Sequence, residues 1–222
     1  GLGDVYKRQA IQASSQRALK AGIDLKKIFS IVEIFRSGDT ETPIVLMGYF
    51  NPIYIYGIEA FISDAESAGV DGLIIVDLPP EEPELLHIME NSSLQFIYLI
   101  TPTTNDERLP KVVKNASGFI YYVSVTGVTG TKSASTQNVE SALLRIRQYT
   151  NLPIAVGFGI KTPAQVVGIA KLADAAVVGS ALVSCVAKNL DDNGRATSAC
   201  KTAVLDLVAQ LSGAVRSISK TP

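Results

Sequence analysis

Three glycine turns, each closing an apolar run, decide the fold of this chain: YYVSVTGVTG at 121–130, AVGFGI at 155–160 and VVGSA at 177–181. Glycine has no Cβ, so it accepts positive φ angles and leaves main-chain N–H groups uncovered for an anion to approach. One such turn would carry little weight, since glycine ends many strands for packing reasons alone. Three in succession at neighbouring strand ends are hard to explain by packing, and they predict a site for a phosphorylated small molecule.

Length and composition are typical of a single, well-buried α/β domain. Of the 222 residues, 47% are hydrophobic and 18% are charged, which suits a parallel sheet covered by helices. The formal net charge of −1 argues against a nucleic-acid partner, which would require a basic patch. The longest largely apolar stretch, 175–187, is too short to span a bilayer, and the chain does not start with a signal-peptide pattern. We therefore expect a cytoplasmic protein with neither a nucleic-acid nor a membrane partner.

The residue types that usually hold metals are scarce. Cys185 and Cys200 lie in helix-like sequence without paired spacing, which predicts two free thiols rather than a disulfide. The single histidine, His87, excludes a multi-histidine metal site and is expected to be an ordinary helix residue. The sequence therefore predicts no metal ion.

Short β-rich runs alternate with helical segments along the whole chain. The predicted strands start roughly 22 to 35 residues apart, the length of a βα unit: 44–47, 73–76, 96–100, 119–123, 154–156 and 176–178. Helices are predicted at 11–21, 24–35, 57–69 and 199–211, and a capping-box pattern at Thr162 to Gln165 starts another. Continuous apolar strands between helices indicate a parallel sheet covered on both faces.

Two architectures satisfy this pattern, an open doubly wound sheet and a closed barrel. Open sheets bind ligands at one switch point, often beside a glycine loop early in the chain, whereas these glycine turns lie towards its end. Their late position favours a (β/α)8 TIM barrel, in which loops after the last strands bind phosphate. Such a barrel needs eight strands. The sequence offers six, so we expect a barrel lacking roughly its first two βα units.

The first nine residues, GLGDVYKRQ, differ in kind from the rest of the chain. They contain no capping residue for the helix after them, and they resemble translated adapter sequence from assembled reads. A disordered natural N-terminus is the alternative. We expect residues 1–9 to be a non-native artefact and residues 10–222 to form one partial (β/α)8 barrel domain.

Three further blocks of sequence carry a family resemblance: AIQASSQRAL at 10–19, LMGYFNP at 46–52 and GLIIVDLP at 72–79. Together with the glycine turns, they resemble the tryptophan synthase α subunit, in order and without large gaps from residue 10 to the C-terminus. The resemblance implies a lyase that cleaves indole-3-glycerol phosphate to indole and glyceraldehyde 3-phosphate in tryptophan biosynthesis. It also implies no cofactor in this subunit, and a partner β subunit that carries pyridoxal phosphate and receives the indole in an αββα assembly.

The resemblance implies a phosphate site built from the glycine turns. The positions that match those holding the glycerol phosphate are Gly130, Gly159, Gly179 and Ser180. Thr129 matches a loop residue that closes over the site and steadies a catalytic aspartate. Ser180 also has a physical argument of its own, because a hydroxyl after a glycine at a helix start is a good phosphate ligand.

Four apolar or aromatic positions match those around the rest of the substrate. Tyr121 matches a strand tyrosine that faces the reacting centre, and Phe158 an aromatic position beside the substrate. Ile11 and Tyr49 match positions near the indole ring. Plain core packing is the alternative interpretation for Tyr49 and Phe158.

Cleavage needs an acid and a base, because indole C3 must gain a proton while the glycerol hydroxyl loses one. In the family these groups are a glutamate at an early strand end and an aspartate shortly before Ile11-Gln12, and both positions lie upstream of Ala10. The resemblance therefore assigns no catalytic residue within this sequence. Asp77, at a predicted strand end, is the best remaining candidate. The alternative is that it shapes the next loop and faces the partner subunit.

Two functions stay open at this point. The first is a lyase whose front is missing from the sequence, with this fragment itself inactive. The second is a non-catalytic barrel fragment that binds phosphate or the β subunit. A phosphoribosyl isomerase is disfavoured, because its acidic strand-end residues and two-fold repeat are not evident. Losing two strands would expose sheet edges and apolar layers, which favours the incomplete lyase over a natural truncated protein.

Overall fold

The structure is a computed structural model that describes residues 2–78, 83–124, 132–157 and 159–218; the side chains at 2–8, 83, 84, 86 and 132–136 lie outside the description. Its elements in chain order are α1 (Leu2–Lys20), α2 (Leu25–Arg36), β1 (Val45–Gly48), α3 (Phe50–Tyr56), α4 (Ile58–Ala68), β2 (Gly72–Ile75), α5 (Pro83–Glu90), β3 (Gln95–Phe96), β4 (Tyr98–Ile100), α6 (Leu109–Lys114), β5 (Ile120–Val123), α7 (Lys132–Arg147), β6 (Ile154–Gly157), α8 (Pro163–Ala170), β7 (Ala175–Val177), α9 (Ser180–Lys188) and α10 (Ser198–Arg216).

These elements form two compact units. The first unit comprises Ile23–Tyr121 and Tyr149–Leu152, and the second comprises Gly1–Gly22, Tyr122–Gln148 and Pro153–Pro222. Within the described ranges, every helix is too short or too polar to cross a membrane.

The first unit is built on three parallel strands, with β2 between β1 and β3. All four residues of β2 are buried, as expected for the middle strand of a sheet covered on both faces. Gly72 is required at the start of β2, because a Cβ there would lie 2.8 Å from the Ile97 Cδ1 atom and 2.9 Å from the Gln95 carbonyl oxygen. The close spacing of neighbouring strands therefore depends on this glycine.

The amphipathic stripe predicted for 57–69 is confirmed in α4. Its apolar positions are buried: Ile58, Phe61, Ile62, Ala65 and Ala68. Gly69 ends the helix at a φ of +94°, in the left-handed region that favours glycine. The start of α2 is capped by Asp24, whose carboxylate accepts a 2.8 Å hydrogen bond from Lys27 N. Across the two helices, the rings of Phe29 and Phe61 pack with centroids 5.5 Å apart.

The second unit holds β6 and β7, which run parallel with Gly157 opposite Val177. All four residues of β6 are buried. The capping box predicted at the start of α8 is confirmed: Thr162 Oγ1 accepts from Gln165 N, and the Gln165 side chain accepts from Thr162 N. α10 packs against α8 and α9, and α1 packs against α9.

An aspartate anchors the start of two neighbouring strands in the first unit. Asp71, just before β2, accepts through Oδ2 from Ile44 N at 2.6 Å and from Arg36 Nη2 at 2.5 Å. The same guanidinium donates to the carbonyl oxygens of Gly69 and Thr42, both at 2.8 Å. Hydrogen bonds of one arginine, Arg36, thereby connect helix α2 to the end of α4 and to the starts of the strands.

The second unit repeats this arrangement. Asp174, just before β7, accepts through Oδ2 from Ile154 N and from Arg147 Nη2, both at 2.8 Å. In return, Asp174 N donates to the Ile154 carbonyl oxygen at 3.1 Å. The two-way pairing fixes which residue of β7 lies beside which residue of β6.

The predicted strands agree with the structure to within one residue at each end, except that 96–100 is broken at Ile97 into β3 and β4. Helix α1 begins at Leu2 rather than at residue 11, and α10 continues to Arg216. Helix α3 was not predicted, because its aromatic and β-branched residues have low intrinsic helix propensity. Cys185 and Cys200 are free thiols, and His87 lies exposed on α5, as predicted.

Candidate phosphate site

The ends of β6 and β7 bring two of the predicted glycines to one edge of the second unit. Gly157 and Val177 are opposite each other in the parallel register. Gly159 follows the last residue of β6 by two positions, and Gly179 follows the last residue of β7 by two positions. Ser124 N, just beyond β5, donates to the Gly157 carbonyl oxygen at 3.1 Å and extends the ladder to a third strand end.

Gly159 has the conformation that the sequence predicts for a phosphate turn. Its φ is +63°, in the left-handed region that residues with a Cβ rarely adopt. Ile160, the next residue, is buried and holds the turn against the core. The backbone of this turn therefore depends on glycine.

Gly179 has a negative φ of −114°, so it does not use the left-handed region that glycine makes accessible. A Cβ added there would meet no atom within 4 Å, so the protein itself leaves open space beside this backbone. The use of glycine at 179 is explained neither by backbone strain nor by packing. It is consistent with space kept for a ligand.

Helix α9 presents an N-terminus without a side-chain cap. Gly179 is its N-cap residue and provides no side-chain cap, and no acidic residue lies in its first turn. At the start of α8, by contrast, Thr162 and Gln165 satisfy the backbone donors. The N–H groups of a first helical turn and the helix dipole together favour an anion at the start of α9. Ser180, half-buried at the first helical position, adds a hydroxyl as predicted.

Three predicted site residues, Thr129, Gly130 and Phe158, lie outside the described residues. A fourth, Ile11, lies on α1, the helix that packs against α9, and its side chain is 44% exposed. Of the predicted phosphate-site residues, the structure describes Gly159, Gly179 and Ser180, which follow the carboxyl ends of the paired strands β6 and β7.

The two predicted tyrosines belong to the first unit. Tyr49 is the N-cap of α3 and is 63% exposed, so core packing does not explain it. Tyr121 is half-buried on β5, and burial raises the pKa of its phenol above the ordinary value. The Tyr121 hydroxyl is therefore protonated at neutral pH and available as a hydrogen-bond donor.

Asp77 has a structural partner. Its Oδ1 accepts a 2.8 Å hydrogen bond from Phe50 N, the first N–H of α3. Tyr49 provides no side-chain cap there, so Asp77 satisfies a helix donor from the end of the neighbouring strand. This contact favours the interpretation that Asp77 shapes the loops at this edge. Within the described ranges, no three His, Cys, Asp or Glu side chains are grouped to hold a metal ion.

Known proteins resemble this chain over most of its length. The sequence model of the family described as tryptophan synthase alpha chain matches residues 8–212. Tryptophan synthase subunit alpha from Legionella pneumophila is 35% identical with a TM-score of 0.83, covering 94% of this chain and 76% of that one. The tryptophan synthase a2b2 complex of Pyrococcus furiosus contains a chain that is 36% identical, with a TM-score of 0.80 and coverages of 92% and 80%.

A tryptophan synthase structure from M. tuberculosis, in its aminoacrylate-bound form, matches at 30% identity with a TM-score of 0.78, covering 93% of this chain and 75% of that one. The parallel strands and helices of the chain thus match those of TIM-barrel tryptophan synthase α subunits. The chain belongs to the tryptophan synthase alpha chain family, the lyases of tryptophan biosynthesis that cleave indole-3-glycerol phosphate.

Proposed function

We propose that the edge formed by Gly159, Gly179 and Ser180 binds the phosphate group of indole-3-glycerol phosphate. The observation that carries this proposal is that α9, whose N-cap Gly179 provides no side-chain bond, and the left-handed Gly159 turn follow two paired strands, β7 and β6. Backbone N–H groups from both would face the same anion, and the Ser180 hydroxyl would add a donor. Gly130 joins this set by family resemblance, as does Thr129 as the residue that closes over it.

The remaining substrate contacts follow the same family pattern. Tyr121 would face the reacting centre, and its protonated hydroxyl suits a hydrogen-bonding role there. Phe158, Tyr49 and Ile11 would surround the indole. The exposure of Tyr49 supports a ligand role, because a large aromatic side chain in water gains by covering an apolar ligand.

Binding of glycerol 3-phosphate, measured by isothermal titration calorimetry, tests the phosphate site. Gly179→Ala is the sharpest variant, since its Cβ projects into open space and its φ is negative, so stability should be unchanged. We expect the methyl group to obstruct the ligand and weaken binding by more than tenfold. Ser180→Ala should weaken it by about tenfold, the effect of one hydrogen bond to a charged group.

Gly213→Ala is the matched control. A Cβ at Gly213, in α10, also meets no atom within 4 Å, and the residue lies in the interior of a helix far along the chain from both turns. Its affinity for glycerol 3-phosphate should equal that of the unmodified chain. If Gly179→Ala also bound with unchanged affinity, the phosphate site would have to lie elsewhere.

We further propose that the 222-residue chain alone is inactive as a lyase, although its family is enzymatic. None of its residues matches the two family carboxylates, and Asp77 is engaged with Phe50 N. Each missing acid or base group lowers the rate by about 10²–10⁴-fold. Incubation with indole-3-glycerol phosphate should yield no detectable indole, and measurable release would contradict this. The alternative function, a non-catalytic fragment that binds phosphate or the β subunit, is tested by the glycerol 3-phosphate titration and by the association experiment with a β chain.

We propose a tryptophan synthase β subunit as the protein partner, with pyridoxal phosphate bound in that subunit and none in this family of α chains. Exposed apolar side chains on α3 form the candidate contact surface: Tyr54 is 63% exposed and Ile55 is 75% exposed. Ile55 lines a pocket of about 560 Å³ together with Pro52, Tyr56 and the start of α2. Apolar patches of this kind mark interaction sites. A cytoplasmic location belongs to the same proposal.

Analytical ultracentrifugation with a tryptophan synthase β chain tests the partner. Ile55→Asp should weaken the association by at least tenfold, because the charge would be desolvated at the interface. Leu144→Asp, at a 63% exposed position on α7, is the matched control and should associate normally. Equal association of both variants would place the contact surface elsewhere.

A further inference from the structure

The apolar strand β1 lies at the edge of its sheet and is poorly covered. In the part of the chain that the structure describes, β1 pairs with β2 only, and β2 separates it from β3. All four residues of β2 are buried, whereas none in β1 is, and the Met47 side chain is 57% exposed. Apolar parallel strands are normally paired on both sides and covered on both faces. The second side of β1 is therefore open to one more strand.

The main-chain groups of Val45 and Met47 face this open side. The Gly48 carbonyl oxygen accepts from Val76 N at 2.9 Å, so the main-chain groups of Gly48 face β2. Successive residues of a strand direct these groups to opposite sides, so Leu46 also faces β2 while Val45 and Met47 face away from it. An edge of this kind is a template for a further strand.

Helix α2 carries apolar side chains on two faces. Phe29 is buried and packs on Phe61 of α4, with ring centroids 5.5 Å apart. Ile31, Ile34 and Phe35 are 58%, 72% and 42% exposed. Their spacing of three and four residues places them on one face of the helix. A contiguous exposed apolar face marks an interaction surface.

The order of the elements indicates what fits beside β1. Strands β1 and β2 are neighbours joined by α3 and α4, and β2 and β3 are neighbours joined by α5. Helix α2 leads into β1 and packs against α4. In a parallel sheet, a helix in this position connects a strand at the open edge to the strand that follows it. The first strand of this connection is not among the described elements.

We propose that the open side of β1 and the exposed face of α2 form a docking surface for the N-terminal βα segment of a tryptophan synthase α chain. One strand would pair in parallel with β1, and the helix ahead of that strand would cover Ile31, Ile34 and Phe35. The α chain of Legionella pneumophila is longer than this chain, which covers 76% of it, and the family match begins at residue 8, shortly before α2. The resemblance places roughly two βα units ahead of Ala10, which is the kind of segment that this surface fits.

Adding that segment as a separate peptide tests the docking surface. The probe is the Legionella pneumophila α chain from its first residue to the residue before the position aligned with Ala10, with a fluorescent label. We expect saturable one-to-one binding by fluorescence anisotropy. Hydrogen exchange at Val45 N and Met47 N should slow when the probe binds, because the docked strand would bond the open side of β1. Absence of binding at about 100 µM probe would overturn the proposal.

Two variants separate the helix face from the strand edge. Ile34→Asp should raise the Kd of the probe at least tenfold, because the docked helix would bury the charge. Met47→Pro removes an N–H on the open side and none that faces β2, so it should also raise the Kd, and proline is tolerated on an edge strand. Leu144→Asp, at the 63% exposed position on α7, is the matched control and should bind the probe like the unmodified chain. If Met47→Pro does not fold by circular dichroism, Ile34→Asp decides alone.

Sedimentation of the unmodified chain without the probe distinguishes this occupant from a second copy of the chain. We expect its mass to stay that of one chain as the concentration rises. A concentration-dependent dimer that Ile34→Asp abolishes would assign the exposed face of α2 to a second copy and overturn the proposal. Equal affinities of Ile34→Asp and Leu144→Asp for the probe would overturn it as well, because the probe would then bind elsewhere.

Discussion

Replacing Asp71 by alanine removes an acceptor that a backbone N–H and a guanidinium share. The Asp71 carboxylate accepts at 2.6 Å from Ile44 N and at 2.5 Å from Arg36 Nη2. A hydrogen bond to a charged acceptor contributes about 1.5–3 kcal/mol. The ion pair adds only about 0.2–1 kcal/mol, because water reaches the 51% exposed Asp71 side chain. We expect Asp71→Ala to lower the free energy of unfolding by about 2–4 kcal/mol.

Asp71→Asn separates the two contributions. Its amide oxygen still accepts from Ile44 N, while the negative charge is lost, so the free energy of unfolding should fall by about 1–2 kcal/mol. Arg36 keeps its bonds to the Gly69 and Thr42 carbonyl oxygens in both variants, so the local fold should persist. Asp192→Ala, at an exposed loop position, controls for the loss of one negative charge and should change stability by less than about 0.5 kcal/mol.

Urea unfolding followed by far-ultraviolet circular dichroism measures these differences, provided that the slope with urea is unchanged between variants. A loss below about 0.5 kcal/mol for Asp71→Ala would refute the shared-acceptor reasoning. Asp174→Ala tests the repeat in the second unit. Its partner Arg147 is 40% exposed, against 15% for Arg36, so the loss there should be no larger than for Asp71→Ala.

Three further predictions concern single side chains. Burial raises the pKa of Tyr98 to about 12, so stability is complete below about pH 10, where the unfolded chain begins to ionise, and falls as pH rises towards 12. Tyr98→Phe should remove the largest part of that alkaline decline in the urea midpoint; an unchanged decline would contradict the burial argument. Gly159→Ala should lower the free energy of unfolding by about 1–2 kcal/mol, because its φ of +63° is strained for alanine, and equal stability would show that the turn relaxes. Thr162→Ala should lower the free energy of unfolding by about 1 kcal/mol through loss of the α8 cap, whereas Thr162→Ser should keep most of the stability of the unmodified chain in the same urea experiment.

Local features were predictable from sequence, because the residues that decide them are close together in the chain. The buried stripe of α4 follows from helical periodicity, and the start of α8 follows from the spacing between Thr162 and Gln165. The strands follow from short apolar runs bounded by turn residues. Helix α3 was not predicted by this reasoning, because the N–H group of its first residue, Phe50, is bonded to Asp77, which lies 27 residues further along the chain.

The glycine turns show where local reasoning ends. The sequence predicts the same freedom at Gly159 and Gly179, yet only Gly159 takes a positive φ. Which conformation each glycine adopts depends on how the chain passes from its strand into the next segment. At Gly179 that segment is α9, and the backbone is already close to helical. Glycine at this position leaves open space beside the backbone, and a sequence pattern does not predict that space.

By itself, the sequence determined the α/β fold class, the positions of the strands and the family, because repeated βα spacing and blocks such as GLIIVDLP are properties of the linear chain. The tertiary structure alone decided that Gly157 lies opposite Val177, that Ser124 is buried and that Gly159 takes a positive φ while Gly179 does not. The physical reason is the distance along the chain. The register of β6 and β7 is fixed by contacts between Ile154 and Asp174, 20 residues apart, and such pairings follow from the packing of the whole sheet.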